Sequence, residues 1–270
     1  MTPLHLPTST RPGTGLPAGE AWQPVVDSTD PWFRRYPVER PVARLVCLPH
    51  AGGTAGVFHS WPQSLAPGIE MLAVRYPGRQ DRLDDPFPQS LEDLAEEIAG
   101  HLLQYLDLPV ALFGHSMGSA VAYEVARRLE AWKPDALARL FVSGRAAPTD
   151  GPRGTGHLSD DETLAAWAAG LGGPAAEVYA DPELRYMLLF SLRGDLRLLD
   201  TYRPSELVPL HAPITAFGGT DDLGYPPEEL STWSKVAKGA FDARSFNGDH
   251  FYLVPHAASL VEEICSRIPR

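Results

Sequence analysis

Short unbroken apolar runs alternate along this chain with longer stretches in which apolar residues recur every three or four positions. Leu45-Val46-Cys47-Leu48, Met71-Leu72-Ala73-Val74, Val110-Ala111-Leu112-Phe113, Leu140-Phe141-Val142 and Ile214-Thr215-Ala216-Phe217 have the length and composition of buried strands. Between them lie helical patterns. Ser90 and Asp93 stand at capping-box spacing ahead of one apolar face made of Leu91, Leu94, Ala95, Ile98, Leu102 and Leu106. A second helix is predicted from residue 117 to about Leu129, and a last one carries Leu260, Ile264 and Ile268 with Val261 and Cys265 beside them. Strands that are apolar throughout, alternating with amphipathic helices, predict an α/β protein with a mostly parallel central sheet and helices on both faces.

The rhythm breaks once. From about 150 to 208 no strand is predicted, and two helical patterns stand instead, Asp160 to about Leu171 and Asp181-Pro182 to about Tyr202. In the second, Asp181 suits an N-cap, Pro182 the first helical position, and Leu184, Met187, Leu188, Leu192, Leu196 and Leu199 one face. A helical insertion in an alternating α/β chain predicts a lid over the site. Residues 1–28, rich in Pro, Gly, Ser and Thr without apolar period, read as a flexible leader, and residues 29–270 as one domain. Order is expected from Trp32-Phe33-Arg34-Arg35-Tyr36, a segment that can lie on the first strand.

Length and charge narrow the function. A chain of 270 residues supports one sizeable core. A formal charge of −11 makes nucleic acid and anionic membranes poor partners, and no apolar run reaches the ~18 residues needed to span a bilayer. The N-terminus has neither the basic nor the apolar region of a signal peptide, so a cytoplasmic protein is expected. Cys47 and Cys265 lie in apolar stretches without metal-ligand spacing and read as reduced core residues.

Gly114-His115-Ser116-Met117-Gly118 is a Gly-x-Ser-x-Gly pattern fed by an apolar strand and left by a helix, the context of a nucleophile elbow in an α/β-hydrolase fold. Ser116 is the candidate nucleophile. A serine hydroxyl needs a base oriented by a third group, and in this fold the acid and then the histidine follow the serine along the chain. Asp222 leaves a late strand through Gly218-Gly219, and the spacing from Gly219 selects it over its neighbour Asp221, which stays the alternative acid. His250, in a loop before the last helix, is the best placed of nine histidines to act as base. Oxyanion donors are expected from the backbone N–H groups of Met117 and of Ala51 in Pro49-His50-Ala51-Gly52-Gly53. Trp167, Met187 and Leu188 are expected to line or cover an acyl pocket.

With these segments in view, the chain resembles the type II (editing) thioesterases of polyketide and nonribosomal peptide synthesis. The resemblance is carried by Trp32–Tyr36, Leu48–Gly53, Arg75-Tyr76-Pro77-Gly78-Arg79-Gln80-Asp81-Arg82, the elbow, Val142-Ser143-Gly144-Arg145-Ala146-Ala147-Pro148 and Asp249-His250-Phe251-Tyr252-Leu253. It implies a serine thioesterase that hydrolyses acyl groups from the 4′-phosphopantetheine arm of acyl or peptidyl carrier protein domains, with a Ser-His-Asp triad, a mobile lid and no cofactor of its own. A monomer is expected, with no nucleic-acid or membrane partner. The family often has glycine where Asp249 stands, which sets a second carboxylate beside His250. An intracellular carboxylesterase or lipase-like hydrolase, an excised macrocyclising thioesterase domain and an inactive binding module are the alternatives. Carrier proteins are generally acidic, so docking must rest on a local patch. The arginines between Arg75 and Arg82 could form it, or could bond loop carbonyls and nearby carboxylates instead.

Overall fold

The computed structural model describes residues 25–26, 30–148, 154–172, 182–204 and 206–269. Eight strands among them form one sheet: β1 (Val25–Val26), β2 (Phe33–Tyr36), β3 (Ala43–Leu48), β4 (Ile69–Val74), β5 (Val110–His115), β6 (Leu137–Ser143), β7 (Ile214–Gly219) and β8 (Phe241–Phe246), in the order β1-β2-β4-β3-β5-β6-β7-β8. The pairs β1–β2 and β2–β4 are antiparallel and every other pair is parallel. Among the described residues, five α-helices accompany it: α1 (Leu91–Leu102), α2 (Met117–Trp132), α3 (Asp161–Gly170), α4 (Pro182–Thr201) and α5 (Ala257–Cys265).

Successive strand side chains point to opposite faces, and the core divides accordingly. Val46, Leu48, Leu72 and Leu112 pack with α1 and α2. Leu45, Cys47, Met71 and Phe113 pack on the other face with Phe58, Trp61 and the α5 residues Leu260, Val261 and Ile264. Both cysteines are buried within that second layer. α1 starts where expected, because Ser90 Oγ accepts the Asp93 N–H and the Asp93 carboxylate accepts the Ser90 N–H.

Two expectations about the N-terminal side change. Phe33–Tyr36 does not lie over the first strand of the parallel run; it is a strand in its own right, hydrogen-bonded to β4. Val25 and Val26, inside the segment read as a leader, pair with Arg35 and Arg34. The rest of that segment lies outside the described residues, as does the Asp181 N-cap.

Candidate active site

β5 runs directly into Ser116, whose φ of 54° and ψ of −117° put a non-glycine residue in a costly backbone region. The flanking glycines permit this turn. A Cβ on Gly114 would meet the Gly118 oxygen at 2.1 Å, and one on Gly118 would meet the Leu48 oxygen at 2.2 Å. The second approach presses the start of α2 against the end of β3, so the turn and the loop after β3 share one corner. The turn is also pinned to β6: the Ser116 N–H donates to Ser143 O at 2.7 Å, and Ser119 Oγ donates to Gly114 O at 2.8 Å.

Asp222 and His250 come from the loops after β7 and β8. Those loops touch at Gly219, where a Cβ would meet the oxygens of Asp249 at 2.2 Å and Gly248 at 2.4 Å. Asp222 is 3% exposed, and its Oδ2 lies 2.7 Å from His250 Nδ1. Its Oδ1 accepts the N–H groups of Gly224 at 3.0 Å and Tyr225 at 3.1 Å, so a turn fixes the carboxylate in the plane that meets the imidazole. Asp221 is exposed, and its backbone N–H donates to Gly248 O at 2.9 Å. Asp249, also exposed, turns its Oδ1 toward the Phe251 N–H at 2.8 Å and caps the loop that carries His250.

Three imidazoles crowd this corner. The His115 ring lies 4.9 Å from that of His250 and 5.9 Å from that of His50. His115 is fully buried, with its Nδ1 2.9 Å from Ser143 Oγ, which in turn contacts the Tyr252 hydroxyl at 2.6 Å. Burial first, and then the neighbouring His250 and His50, hold the His115 pKa well below 6.5. Burial, with His250 and Arg79 adding to it, takes His50 down to about 3. A depressed histidine pKa stabilises the fold above the unfolded value and loses that contribution as pH falls, since the unfolded chain then takes up the proton that the native chain refuses. The melting temperature is therefore expected to drop between about pH 7 and pH 5, and His115→Gln to flatten that drop, as pH-stepped thermal denaturation would read. An unchanged slope in the variant would assign the acid sensitivity to other groups.

The loop after β3 brings Ala51 against the same corner, and Met117 opens α2, where the first N–H groups have no partner within the helix. Two cavities have Ala51, Ser116, Trp167, Leu171 and His250 in common. One, of about 200 Å³, is walled by apolar side chains, among them Val57, Leu188, Leu192 and Val254. The other, of about 360 Å³, carries Arg145, Tyr202, Arg203 and Tyr225. Trp167 lines both cavities and Leu188 the first. Met187 is 54% exposed and lines neither cavity, because the one helical step that separates it from Leu188 turns it to the outer side of α4. The inward side of α4 packs instead through Leu189, Leu192 and Leu196 onto Leu164 and Ala168 of α3.

The arginines of the segment after β4 are structural. Arg75 donates to Pro31 O and pairs with Asp81. Arg82 donates to Arg75 O, pairs with Asp85 and lies over the Trp32 ring at 4.1 Å. Arg79, 6% exposed, pairs with Asp195 of α4. All three guanidinium groups are buried in these bonds. The Asp195 partnership escaped the reading of the sequence, although one signal was present: Asp195 falls on the helical face of Leu188, Leu192 and Leu196, where a charge needs a partner.

Residues 43–270 match the family model described as "Thioesterase domain". The chain is 39% identical over 90% of its length to a probable cadicidin biosynthesis thioesterase of Streptomyces griseus, covering 67% of that protein. It is likewise 39% identical to the thioesterase PikA5 of Streptomyces venezuelae, over 82% of this chain and 80% of that one. Among solved structures, the type II thioesterase BorB from the borrelidin biosynthetic cluster superposes with a TM-score of 0.81 at 41% identity, over 89% of this chain and 98% of that one.

Proposed function

The chain belongs to the thioesterase family, and from that premise we propose that it hydrolyses acyl groups from the 4′-phosphopantetheine arm of carrier proteins, an editing activity for a polyketide or nonribosomal peptide synthase. The observation that carries the mechanism is the buried 2.7 Å contact between His250 Nδ1 and Asp222, on the wall of a cavity that also holds Ser116 at its strained turn. With Nδ1 engaged, Nε2 is the nitrogen left to serve Ser116. In this reading Ser116 Oγ attacks the thioester carbonyl while His250 takes its proton, and the N–H groups of Ala51 and Met117 receive the developing oxyanion. Collapse breaks the C–S bond, and His250 returns the proton to the departing thiolate. Water, deprotonated by His250, then opens the acyl-serine ester. Every step in this reading uses side chains, backbone and water.

The two cavities divide the substrate. The apolar one, walled by Leu188, Leu192 and Trp167, suits the acyl chain. The polar one suits the pantetheine arm, since Arg145, Arg203 and Tyr225 on its wall are hydrogen-bonding side chains of the kind that meet amide and hydroxyl groups. The helices α3 and α4 over these cavities take the role of the lid. A panel of acyl-pantetheine and acyl-carrier thioesters of rising chain length, run beside p-nitrophenyl esters, tests this. Carrier-bound thioesters should turn over faster than the esters, and Leu188→Ala should move the preferred chain length more than the overall rate. Faster turnover of p-nitrophenyl esters would favour a carboxylesterase. A uniform fall for Leu188→Ala, with a lower melting temperature, would make that residue lid packing only.

A further inference from the structure

Behind the loop that carries Ala51, the chain leaving β4 makes a tight return. Gly78 has φ of 76° and Gln80 φ of 52°, so Arg79 points back beneath the loop instead of outward. The Arg79 guanidinium donates through Nη1 to Gly53 O at 2.9 Å and to Asp195 Oδ2 at 2.7 Å, and through Nη2 to Asp195 Oδ1 at 2.5 Å. Asp195 Oδ2 also accepts the Gly52 N–H at 2.7 Å. Tyr76, whose ring lies 5.3 Å from the Arg79 guanidinium, donates its hydroxyl to Pro49 O at 3.2 Å. The loop is therefore held at Pro49, Gly52 and Gly53, on both sides of Ala51. One of these holds, at Gly52, comes from α4, 143 residues further along the chain.

We infer that Asp195 is a positioning residue for the oxyanion hole: by accepting the Gly52 N–H it fixes the peptide next to Ala51, and it does so only while α4 is seated. The inference rests on the serine-hydrolase reading above. Its physical core is the burial of the pair, with Arg79 at 6% and Asp195 at 2% side-chain exposure. A bidentate ion pair away from water is geometrically strict, and neither group can relax into solvent when the other moves. The middle of α4 is seated by two further contacts on the same return. Ser191 Oγ donates to Gly78 O at 3.0 Å, and Phe87 lies so close to Gly194 that a Cβ there would meet its ring at 2.3 Å. If α4 opens as a lid at this point, the acceptor leaves Gly52 and the donor geometry goes with it. Opening confined to the N-terminal part of α4 leaves the hole intact.

The test separates positioning from folding. A trifluoromethyl ketone attached to a pantetheine mimic forms a bond to Ser116 Oγ, passes the serine proton to His250 and places an oxyanion in the hole. The matching thioether, with CH₂ in place of the carbonyl, fills the same cavities without one. Asp195→Asn should weaken the ketone by roughly 10²-fold, the cost of a small misplacement of a reacting group, and leave the thioether unchanged. The turnover of Asp195→Asn should fall in kcat with KM kept. Because Asn leaves Arg79 unpaired, a second variant is needed: Arg79→Met with Asp195→Leu removes both charges, a change that often preserves stability. It should melt near the parent and still show the selective loss of ketone affinity. Equal weakening of ketone and thioether, or ketone affinity at the parental level in both variants, would overturn the inference. Failure of the parent protein to form the ketone adduct would instead bring down the serine-hydrolase reading, and the inference with it.

Discussion

Replacing Ser116 by alanine should lower thioester hydrolysis by at least ~10³-fold, as loss of a nucleophile does, and leave the fold intact. The second half of that expectation is as specific as the first. Ser116 precedes α2, where a serine ordinarily caps a backbone N–H, yet it makes no side-chain cap hydrogen bond. Its φ of 54° persists whichever Cβ-bearing residue stands there, so removing Oγ breaks no cap bond and relieves no strain. A serine kept at such a conformation without a structural return is explained by what its hydroxyl does. Ser116→Gly supplies the control: it should be equally inactive and more stable than Ser116→Ala by about 1 kcal/mol, because glycine adopts a positive φ without steric penalty. Steady-state hydrolysis of an acyl-pantetheine thioester and thermal denaturation of the three proteins read both effects. Near-parental turnover by Ser116→Ala would remove the nucleophile assignment.

The parts of the molecule legible from its sequence are those where one physical requirement dominates. The central strands β3 to β7 are buried over most of their length and carry apolar runs, which makes them visible even though Arg44, Glu70 and Arg139 stand within them. β8 is an edge strand of Phe241-Asp242-Ala243-Arg244-Ser245-Phe246, exposed over its middle, and it has no apolar run to betray it. β2 hides for a related reason: only Phe33 and Tyr36 are buried, and Arg35 pairs with Glu70 on β4, so its pattern looks polar until the partner strand is known. The segment Pro227–Val236 forms a 3₁₀ helix whose buried residues Leu230, Trp233 and Val236 recur every three positions, a period easily passed over beside the helical 3.6. In the candidate site, Ser116, Asp222 and His250 were legible as candidates from their order along the chain and their flanking glycines. The tie from Arg79 to Asp195 was not, since it joins residues 116 positions apart. The arginines of the loop after β4 teach the same lesson about charge: in the sequence they resemble a patch for a partner, whereas three-dimensional burial turns each into a bond that shapes the site.

The acid offers the sharpest discrimination, because two adjacent aspartates compete for one role. Asp222→Asn should reduce kcat by roughly 10⁴-fold, and Asp221→Asn should leave it near the parent. The asymmetry follows from what each carboxylate touches. Asp222 Oδ2 accepts from His250 Nδ1 at 2.7 Å, while Asp221 is exposed and joins the loop through its backbone N–H. In Asp222→Asn, the remaining oxygen can still accept from the Gly224 and Tyr225 N–H groups, so the turn survives and the amide NH₂ faces His250. An NH₂ cannot accept the Nδ1 proton. It drives the imidazole to the tautomer that carries its hydrogen on Nε2, and that nitrogen can then no longer take a proton from Ser116. The loss should therefore appear in kcat, with a melting temperature close to that of the parent. Asp222→Ala, which also deletes both turn bonds, should lose stability as well as rate. A larger loss of turnover in Asp221→Asn than in Asp222→Asn would transfer the acid's role to Asp221 and would mean that the Asp222–His250 contact serves the fold alone.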